Sequence, residues 1–560
     1  MVSLAPVVLR VGGENVAGSD SPQDVAARDD AHLRSLGIKP ELKRSLGFMS
    51  NFAVAFSYIS VSTGTFTLIA VGLAVAGPAF FWSWPLVILG QTFVALNFAE
   101  LASHFPVAGS IYQWSKRLSN KTLGWFTGWI YFWAGVLTTT AVAITVPLVM
   151  ASIWGFDLAS ASPIPQLTMG VFIAMLTLVS TTVINAFGVR ALSVINNLGV
   201  GAEILGMVVF ALILLIFFNH QPISVLTEAA PNVTSPGGFA PIFLVGMFMS
   251  LFVVYGFDTA GTFGEETLDA GRQAPRGVLS AIWMSGAVGA LFLLAIILSF
   301  KDVAAQVLSA QQFAWGVGGA NPIGDTINAN MGELGKVYLL VILAAVYVCT
   351  LAIQGATTRL MFSMGRDRRL PLGRVWGHVS PTFQTPAYAA LAVGVLAAIP
   401  FLLTSAPGVL AVAATGMIYS SYFLCNLGVL IARRHGWPHA GAWFSLGSWG
   451  SILNVLALVW GGFMIVNFAL WQTDTFGALG TASYPLPDGT AVGLRDLTNP
   501  ILASLKVFGA DVGLPAIPIF ELILGLVLIV GLLYYVIAER SLIAREKLDA
   551  DAATGEAVIG

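Results

Sequence analysis

The chain is poor in charge, and this excludes most water-soluble folds. Asp, Glu, Lys and Arg make up only 10% of the 560 residues, while 57% are hydrophobic. Soluble domains typically carry about 25% charged residues. A water-soluble protein of this length would need far more polar surface, so the composition predicts a membrane protein. The net charge of −2 indicates no nucleic-acid partner.

Cysteine is also scarce, and no motif for metal or covalent chemistry stands out. The two cysteines, Cys349 and Cys425, lie in apolar runs, as small buried residues do. We find no His/Glu pair on a helix, no phosphate loop and no nucleophile elbow. The sequence therefore predicts no metal, no cofactor and no enzymatic activity. The polar start of the chain has no charged-then-apolar leader, so a cleaved signal peptide is not expected.

Apolar runs of about 20 residues, the length that crosses a bilayer, recur along the whole chain. They lack the two-residue alternation of barrel strands, and backbone groups in lipid must be satisfied internally, so the runs predict helices. We predict an all-α membrane protein with twelve transmembrane helices. The predicted spans are 46–78, 80–104, 122–151, 166–188, 191–219, 239–267, 277–300, 335–362, 386–404, 408–432, 446–472 and 517–538.

The basic residues are divided unevenly between the two sides of this bundle. With both termini on one side, only Lys301, Lys336, Arg495 and Lys506, out of 26 Lys and Arg residues, fall on the other side. Cytoplasmic loops hold the excess of Lys and Arg. We therefore expect a multi-pass protein of the plasma (inner) membrane with both termini in the cytoplasm. The stretch GRDRRLP at 365–371 serves either this topology alone or inner gating as well.

Two spans contain glycine among Ser and Thr, where an unbroken helix would be expected. STGTF at 62–66 lies in span one, and TAGTF at 259–263 lies in span six. Span one is also too long for a straight crossing of the ~30 Å hydrocarbon core. Corresponding interrupted segments in two halves of a chain point to a transporter with inverted repeats and a substrate site near the midplane. The alternative is close packing of helices through small residues.

Acidic residues at membrane depth indicate a cavity or a partner. Span six carries Asp258, Glu265 and Glu266. The last two lie towards Arg272 and Arg276, and we interpret them as interfacial ion-pair residues. Asp258 lies beside the expected break, either with a functional role or as a carboxylate that caps freed N–H groups.

Glu203 is the only charged residue deep in span five, and its sequence neighbours offer no charge and little hydrogen bonding. A carboxyl group in apolar surroundings can exist in its neutral form and exchange protons. Glu203 is therefore the candidate proton-coupling residue. The alternative is a permanently protonated side chain hydrogen-bonded between helices.

Several long stretches resemble one family, the amino acid–polyamine–organocation superfamily. Three of them resemble its segments after helix two, at helix six and between helices eight and nine: NFAELASHFPVAGSIYQWSKRL (97–118), YGFDTAGTFGEETLDAGRQAPRGVL (255–279) and TTRLMFSMGRDRRLPLGRVWGHVSPTFQTP (357–386). Two more resemble its amino acid/choline transporter branch: DAHLRSLGIKPELKRSLGFMSNFAVAFSYIS (30–60) and FSLGSWGSILNVLALVW (444–460). The resemblance covers roughly residues 30–472.

The resemblance implies a LeuT-like fold in which two inverted repeats of five helices, 46–219 and 239–432, have unwound helices one and six. Helices eleven and twelve follow at 446–538 with an outer loop at 473–516, between tails at 1–45 and 539–560. It also implies a substrate site that is lined from helices one, three, six and eight. The matching residues are Ser62, Thr63, Gly64, Thr65, Thr139, Phe252, Tyr255, Gly256, Asp258 and Gln354.

Two departures from the family pattern concern the ligands. Helix one lacks the glycine-x-glycine turn common in the superfamily, and Glu203 falls at about the position where some members carry a lysine in place of a sodium ion. The sequence as a whole predicts a secondary active transporter for an amino acid or γ-aminobutyrate, coupled to H⁺. The alternatives are a carrier of the same fold for choline or a polyamine, with Asp258 and Glu203 as countercharges, and a channel.

Overall fold

A computed structural model of the protein describes residues 21–469 apart from 165, 232, 234, 236, 316–318, 403–406 and 439–441. It further describes 483–485, 491–493, 504–507, 510–513 and 518–540. The first 20 residues, most of the predicted outer loop at 473–516 and the predicted C-terminal tail from residue 541 lie outside the described residues.

Helices make up most of the described chain. The first half holds α1 (Pro22–Ser35), α2 (Phe48–Ile59), α3 (Val61–Ala76), α4 (Ser83–His104), α5 (Ser110–Leu118), α6 (Lys121–Ala143), α7 (Thr145–Trp154), α8 (Met169–Phe187) and α9 (Val189–Phe217). Short 3₁₀ turns lie at Gly77–Trp82 and Ile223–Thr227.

The second half continues with α10 (Phe239–Gly246), α11 (Phe248–Val253), α12 (Thr259–Thr262), α13 (Ala270–Leu298), α14 (Val303–Trp315), α15 (Pro322–Met331), α16 (Glu333–Arg366), α17 (Gly373–Trp376), α18 (Ala387–Ala398), α19 (Pro407–Arg434), α20 (Gly450–Ala469) and α21 (Ile519–Tyr534). Further 3₁₀ turns lie at Gly264–Glu266, Ile399–Leu402 and Gly447–Trp449, and a π turn follows α21 at Tyr535–Glu539. Two antiparallel hairpins join β1 (Ser483–Pro485) to β2 (Ala491–Gly493) and β3 (Ser504–Val507) to β4 (Ala510–Gly513).

The helices fall in the intervals that the apolar runs predict. Nine helical runs of the described chain are long and apolar enough to cross a membrane, and the first, Phe48–His104, covers the intervals of spans one and two. Shorter apolar helices lie at Phe239–Val253 and Ala387–Phe401. The fold is therefore that of a multi-pass helical membrane protein, whereas the count of twelve crossings and the inverted repeat stay predictions.

Helix one, formed by α2 and α3, is broken at Ser60 and not at the glycine. Ser60 has φ = 31°, in the left-handed region, which ends α2 and starts α3. Ser62, Thr63, Gly64 and Thr65 all lie in α3 as regular helix. The stretch STGTF at 62–66 therefore predicts the break of helix one only to within a few residues.

Gly64 serves close helix packing in this structure. A Cβ atom at Gly64 would lie 2.6 Å from Cγ2 of Val253 in α11, a distance that real Cβ atoms essentially never show. The small residue lets α3 approach α11, as small residues do in membrane helices. The structure thus shows close packing at Gly64, and its assignment to the substrate site stays a prediction.

Helix six, formed by α10 to α12, is interrupted between Val253 and Thr259. Gly256 has φ = 89°, and a Cβ atom there would lie 1.9 Å from Cδ1 of Tyr58. Only glycine combines this backbone conformation with such a close approach to an aromatic ring. The interruption therefore lies next to Asp258, as predicted, and directly against the last turn of α2.

The remaining helices enclose these two breaks. α6 packs against α19, α16 and α5, while α13 packs against α4 and α2. The long α16 contacts both halves of helix one, and α9 packs against α2 and α16. Residues near the breaks are consequently buried, although many of them are polar.

Candidate functional site

The break of helix one is capped by Glu203, which reaches it from α9. Oε1 of Glu203 accepts hydrogen bonds from the Ser62 backbone N at 3.2 Å, from Ser62 Oγ at 2.6 Å and from Ser60 Oγ at 2.9 Å. The side chain is only 2% exposed. These partners come from helix one, whereas the sequence neighbours of Glu203 offer little hydrogen bonding, as expected.

A second set of contacts supports the same break. Ser60 Oγ lies 2.6 Å from Thr63 Oγ1, and Sγ of Cys349 in α16 donates to the Tyr58 carbonyl oxygen at 3.5 Å. A broken helix leaves carbonyl and N–H groups without their usual partners. Here α9 supplies the acceptor and α16 supplies a donor, so the break is tied to two neighbouring helices.

The break of helix six is organised around Asp258, which is fully buried. The Tyr131 hydroxyl lies 2.9 Å from Oδ1 and 2.8 Å from Oδ2, the Tyr422 hydroxyl donates to Oδ1 at 2.5 Å, and Ser110 Oγ donates to Oδ2 at 3.0 Å. Tyr422 also accepts a hydrogen bond from the Gly256 backbone N at 2.9 Å. Both carboxylate oxygens are thus engaged by hydroxyl groups from α5, α6 and α19.

Other predicted lining residues divide into two groups. Phe252 and Tyr255 lie at the helix-six break with ring centroids 5.9 Å apart, and Tyr255 also meets the Tyr58 ring at 6.2 Å. These contacts bring the two breaks together. Thr139 and Gln354 make different contacts: the Thr139 hydroxyl donates to the Gly135 carbonyl oxygen of its own helix at 2.8 Å.

Gln354 is buried in α16 and faces α8. Its Nε2 donates to Thr182 Oγ1 at 2.6 Å, while its Oε1 has no hydrogen-bond partner among the described residues. The contact with Thr182 does not join Gln354 to either break. Its assignment to the substrate site stays a prediction.

Glu265 and Glu266 form ion pairs, but with other arginines than expected. Arg366 binds both oxygens of Glu265 at 2.8 Å, and Arg359 binds the two oxygens of Glu266 at 2.7 and 3.1 Å. Both arginines come from α16, whereas Arg272 stacks over Trp443 and Arg276 over Phe48. Bidentate pairs of this kind fix geometry as well as charge, so α16 holds the end of helix six.

The end of α16 is also tied to α5. Asp367 accepts hydrogen bonds through Oδ2 from Lys116 Nζ at 2.5 Å, from Tyr112 at 2.9 Å and from Gln113 at 3.0 Å. Burial alone raises the pKa of Asp367, but Lys116 and Arg366 outweigh it and hold the pKa below its ordinary value. Asp367 is therefore charged at neutral pH.

Sequence reasoning missed the hydroxyl groups that position the two carboxylates. Ser60, Ser110, Tyr131 and Tyr422 lie far apart in the chain, and no single motif connects them. The signal that could have found them is physical: a buried carboxylate requires several donors. In the part of the chain that the structure describes, no three His, Cys, Asp or Glu side chains converge as metal ligands.

The family model described as "Amino acid permease" matches residues 46–480, which include both breaks and the residues that hold them. The chain belongs to this amino acid permease family. It is thereby a member of the amino acid–polyamine–organocation superfamily, as its motifs indicate.

Individual relatives agree with this assignment. A protein of Oryza sativa subsp. japonica named amino-acid permease BAT1 homolog is 30% identical over 459 residues, which cover 79% of this chain and 87% of the relative. Amino-acid permease BAT1 of Arabidopsis thaliana is 26% identical over 479 residues, covering 81% and 91%. The branched-chain amino acid permease BcaP of Lactococcus lactis subsp. cremoris is 26% identical over 325 residues, covering 56% and 66%. This permease family member is therefore similar over most of its length to amino acid transporters.

Proposed function

We propose that this permease is a secondary active transporter that takes up an amino acid or γ-aminobutyrate by alternating access, coupled to H⁺. The observation that carries the proposal is the pair of broken helices whose buried ends face each other. Broken helices offer N–H and carbonyl groups to a ligand near the midplane. Relatives that are named amino-acid permeases support the substrate class.

Unsatisfied polar atoms near both breaks support a polar ligand at this place. Ser57 Oγ and Thr259 Oγ1 are buried, and they have no hydrogen-bond partner within the described residues. Buried hydroxyl groups are rarely left unpaired. A small zwitterion between the breaks would supply donors and acceptors to both, with Ser62 to Thr65 on one side and Phe252 to Asp258 on the other.

The proposed transport cycle moves helices one and six against helices three, four, eight and nine. The first ten helices would form two inverted repeats, with twelve crossings in all and both termini in the cytoplasm of a cell whose plasma membrane holds the protein. The ion pairs from α16 to Glu265 and Glu266 would then lie on the cytoplasmic side and contribute to the inner gate. Glu203 would carry the coupled proton.

The hydrogen bonds of Asp258 disfavour a carrier for choline or a polyamine. A countercharge for such a cation must present carboxylate oxygens to the ligand. Both oxygens of Asp258 instead accept hydrogen bonds from Tyr131, Tyr422 and Ser110. Amino acid transport is therefore the better-supported proposal.

Uptake into liposomes tests the proposal. The purified protein is reconstituted and supplied with labelled L-amino acids, γ-aminobutyrate, choline or putrescine, with and without an inward proton gradient. We expect saturable uptake of at least one amino acid or γ-aminobutyrate, accumulation only with the gradient, and counterflow when the unlabelled substrate is trapped inside. Protein-free liposomes are the control.

Uptake of choline or putrescine alone would refute the substrate class. Conductance far above the turnover of a carrier, without counterflow, would indicate a channel. Accumulation that a proton gradient does not affect would refute the coupling while leaving the substrate class intact.

A further inference from the structure

The first turn of α3 already holds a carboxylate, and that carboxylate belongs to the protein. Ser60 is the residue that begins this helix, yet its side chain caps none of the N–H groups of α3. Its hydroxyl turns instead to Glu203, whose Oε1 also receives the Ser62 N–H. A residue of α9 therefore takes the position at which a helix ordinarily binds its own cap or an anion.

This position attracts only one anion. The N-terminus of a helix carries the positive end of the backbone dipole and N–H groups that point outwards. α3 has 16 residues, so the effect is fully developed. Two carboxylates at the same helix end, inside a buried region, would repel each other strongly, because charges interact far more there than in water.

Charged groups of the neighbouring helices do not offset the repulsion between two carboxylates at this helix end. Among the described side chains, the titratable groups that face Glu203 are Tyr338 and Cys349 of α16, a phenol and a thiol that are neutral at physiological pH. α8 has no titratable residue, and α2 has only Tyr58. The arginines of α13, Arg272 and Arg276, lie in its first two turns, and Arg276 stacks on Phe48 at the opposite end of α2 from Ser60.

We propose that Glu203 is an internal competitor of the substrate's carboxylate at the start of α3. The deprotonated side chain occupies the helix end, and an amino acid binds there only when Glu203 has taken up a proton. The neutral carboxyl group no longer repels the substrate, and its O–H becomes a donor that can face the substrate's carboxylate. This inference rests on the proposed function, since it assumes a carboxylate-bearing substrate at helix one.

Two consequences distinguish this mechanism from one in which another residue binds the coupled proton. One proton binds with each amino acid, so acid pH strengthens binding of the amino acid. An amine that lacks the carboxylate does not compete with Glu203, so acid pH does not strengthen its binding. Glu203 would thus determine both the coupling and the preference for substrates with a carboxylate.

The test is equilibrium binding to the protein in lipid nanodiscs between about pH 5 and about pH 8. The probes are L-leucine and γ-aminobutyrate, each paired with the amine that lacks its carboxylate, isopentylamine and propylamine. For the parent we expect the Kd of the amino acid to rise by about tenfold per pH unit once Glu203 is deprotonated, as linkage to one proton requires. Glu203→Gln should bind the amino acid with a Kd that pH does not change. Glu333→Gln, a change of the same type at an exposed residue of α16, should keep the slope of the parent.

Ser60→Gly provides a second variant if Glu203→Gln does not fold. Glycine accepts the φ of 31°, and the change removes one donor to Glu203 at 2.9 Å. With one hydrogen bond fewer, deprotonated Glu203 is bound less tightly at the start of α3. The affinity for the amino acid should therefore increase several-fold at the alkaline end of the pH range. An unchanged or weaker affinity there would contradict the proposal.

The outcomes separate the inference from the proposed function. An equal pH slope in the parent and in Glu203→Gln would overturn the inference, although amino acid binding would stand. Tighter binding of the amines than of the amino acids, lost in Glu203→Gln, would make Glu203 a countercharge and overturn it as well. A parent that binds neither amino acid at any pH would refute the proposed function itself, and the inference with it.

Discussion

Tyr422 donates a hydrogen bond to Asp258 Oδ1 over 2.5 Å, and the same hydroxyl oxygen accepts one from the backbone N–H of Gly256 over 2.9 Å. One side chain of α19 therefore holds both the carboxylate and the backbone of the helix-six break. The Tyr131 hydroxyl binds the two oxygens of the carboxylate, and its ring packs against that of Tyr422. The conformation of the break is consequently set from outside helix six.

Removal of the Tyr422 hydroxyl should destabilise the folded protein more than removal of the Tyr131 hydroxyl. Tyr422→Phe leaves the buried N–H of Gly256 without its acceptor and takes one donor from Asp258, a loss of about 1–3 kcal/mol in the free energy of unfolding for each unsatisfied group. Tyr131→Phe leaves Asp258 with Tyr422 and Ser110. We expect the thermal midpoint in detergent to fall most in Tyr422→Phe, less in Tyr131→Phe and not in Tyr388→Phe, which is an exposed control. Equal midpoints for Tyr422→Phe and Tyr388→Phe would contradict the assigned role.

Gly64→Leu should abolish substrate binding while leaving the protein folded. The new side chain would collide with Val253 and push α3 away from α11, so the two breaks could not approach each other. Gly201→Leu in α9 is the matched control, because a Cβ atom at Gly201 meets nothing within 4 Å. We expect normal expression for both variants and loss of binding only for Gly64→Leu.

A smaller change at the same position tests the contact itself. Gly64→Ala should weaken binding, and the added change Val253→Ala should restore part of it, since it removes the methyl group that lies 2.6 Å from the new Cβ. Normal affinity of Gly64→Leu would remove helix one from the substrate site.

The residue ranges of the helices could be predicted from the sequence because the lipid bilayer constrains each crossing segment by itself. Each crossing needs an apolar run, and these runs are visible in composition alone. The region of both breaks was also visible, through glycine and Ser/Thr in spans one and six. The exact position in helix one was not, because Gly64 packs as helix against Val253 while Ser60 adopts the left-handed conformation.

The partners of the buried carboxylates could not be predicted, since they come from distant parts of the chain. Ser60 and Ser62 lie more than a hundred residues from Glu203, and Tyr131 and Tyr422 lie on either side of Asp258 in sequence. For the same reason, the sequence indicates that Glu265 and Glu266 form ion pairs and places them near Arg272 and Arg276, whereas their partners are Arg366 and Arg359 of α16. Local sequence shows that a buried charge needs partners but not which ones.

Neutralisation of Arg366 and Asp367 should change the rate of transport with little change in substrate affinity. Arg366 ties α16 to Glu265 of helix six, and Asp367 ties it to Lys116 of α5. Arg366→Gln and Asp367→Asn loosen this end of the bundle without touching either break. We expect altered initial rates of uptake and a Kd within about twofold of the parent. The swap Glu265→Arg with Arg366→Glu should bring the rate back towards that of the parent.

A large loss of affinity for one substrate in these variants would contradict a gating role. It would place the ion pairs in substrate recognition. If both the transport rate and the substrate affinity stay unchanged, the arginine cluster serves only to orient the protein in the membrane. The sequence also allows this alternative.

The N-terminal helix α1 is held to the start of α13 by a cluster of charged groups. Asp29 accepts a hydrogen bond from the Asp269 backbone N at 2.8 Å and lies 3.9 Å from Arg44, which pairs with Asp30 at 2.9 Å. Arg28 pairs with Asp269 at 3.3 Å. Burial raises the pKa of Asp29, and Arg44 only partly offsets it.

Docking of α1 should therefore strengthen in mild acid. The raised pKa means that the docked form binds a proton more tightly than the released form, so docking becomes more favourable as pH falls through the raised pKa. The gain is complete near the ordinary value of about 3.9. We expect hydrogen exchange of the α1 amides, corrected for the intrinsic rate at each pH, to be slower in mild acid than at neutral pH. Asp29→Asn should remove this dependence, because it cannot titrate, while Asp157→Asn, an exposed control, should keep it. A pH dependence that persists in Asp29→Asn would assign the effect to another group of the cluster.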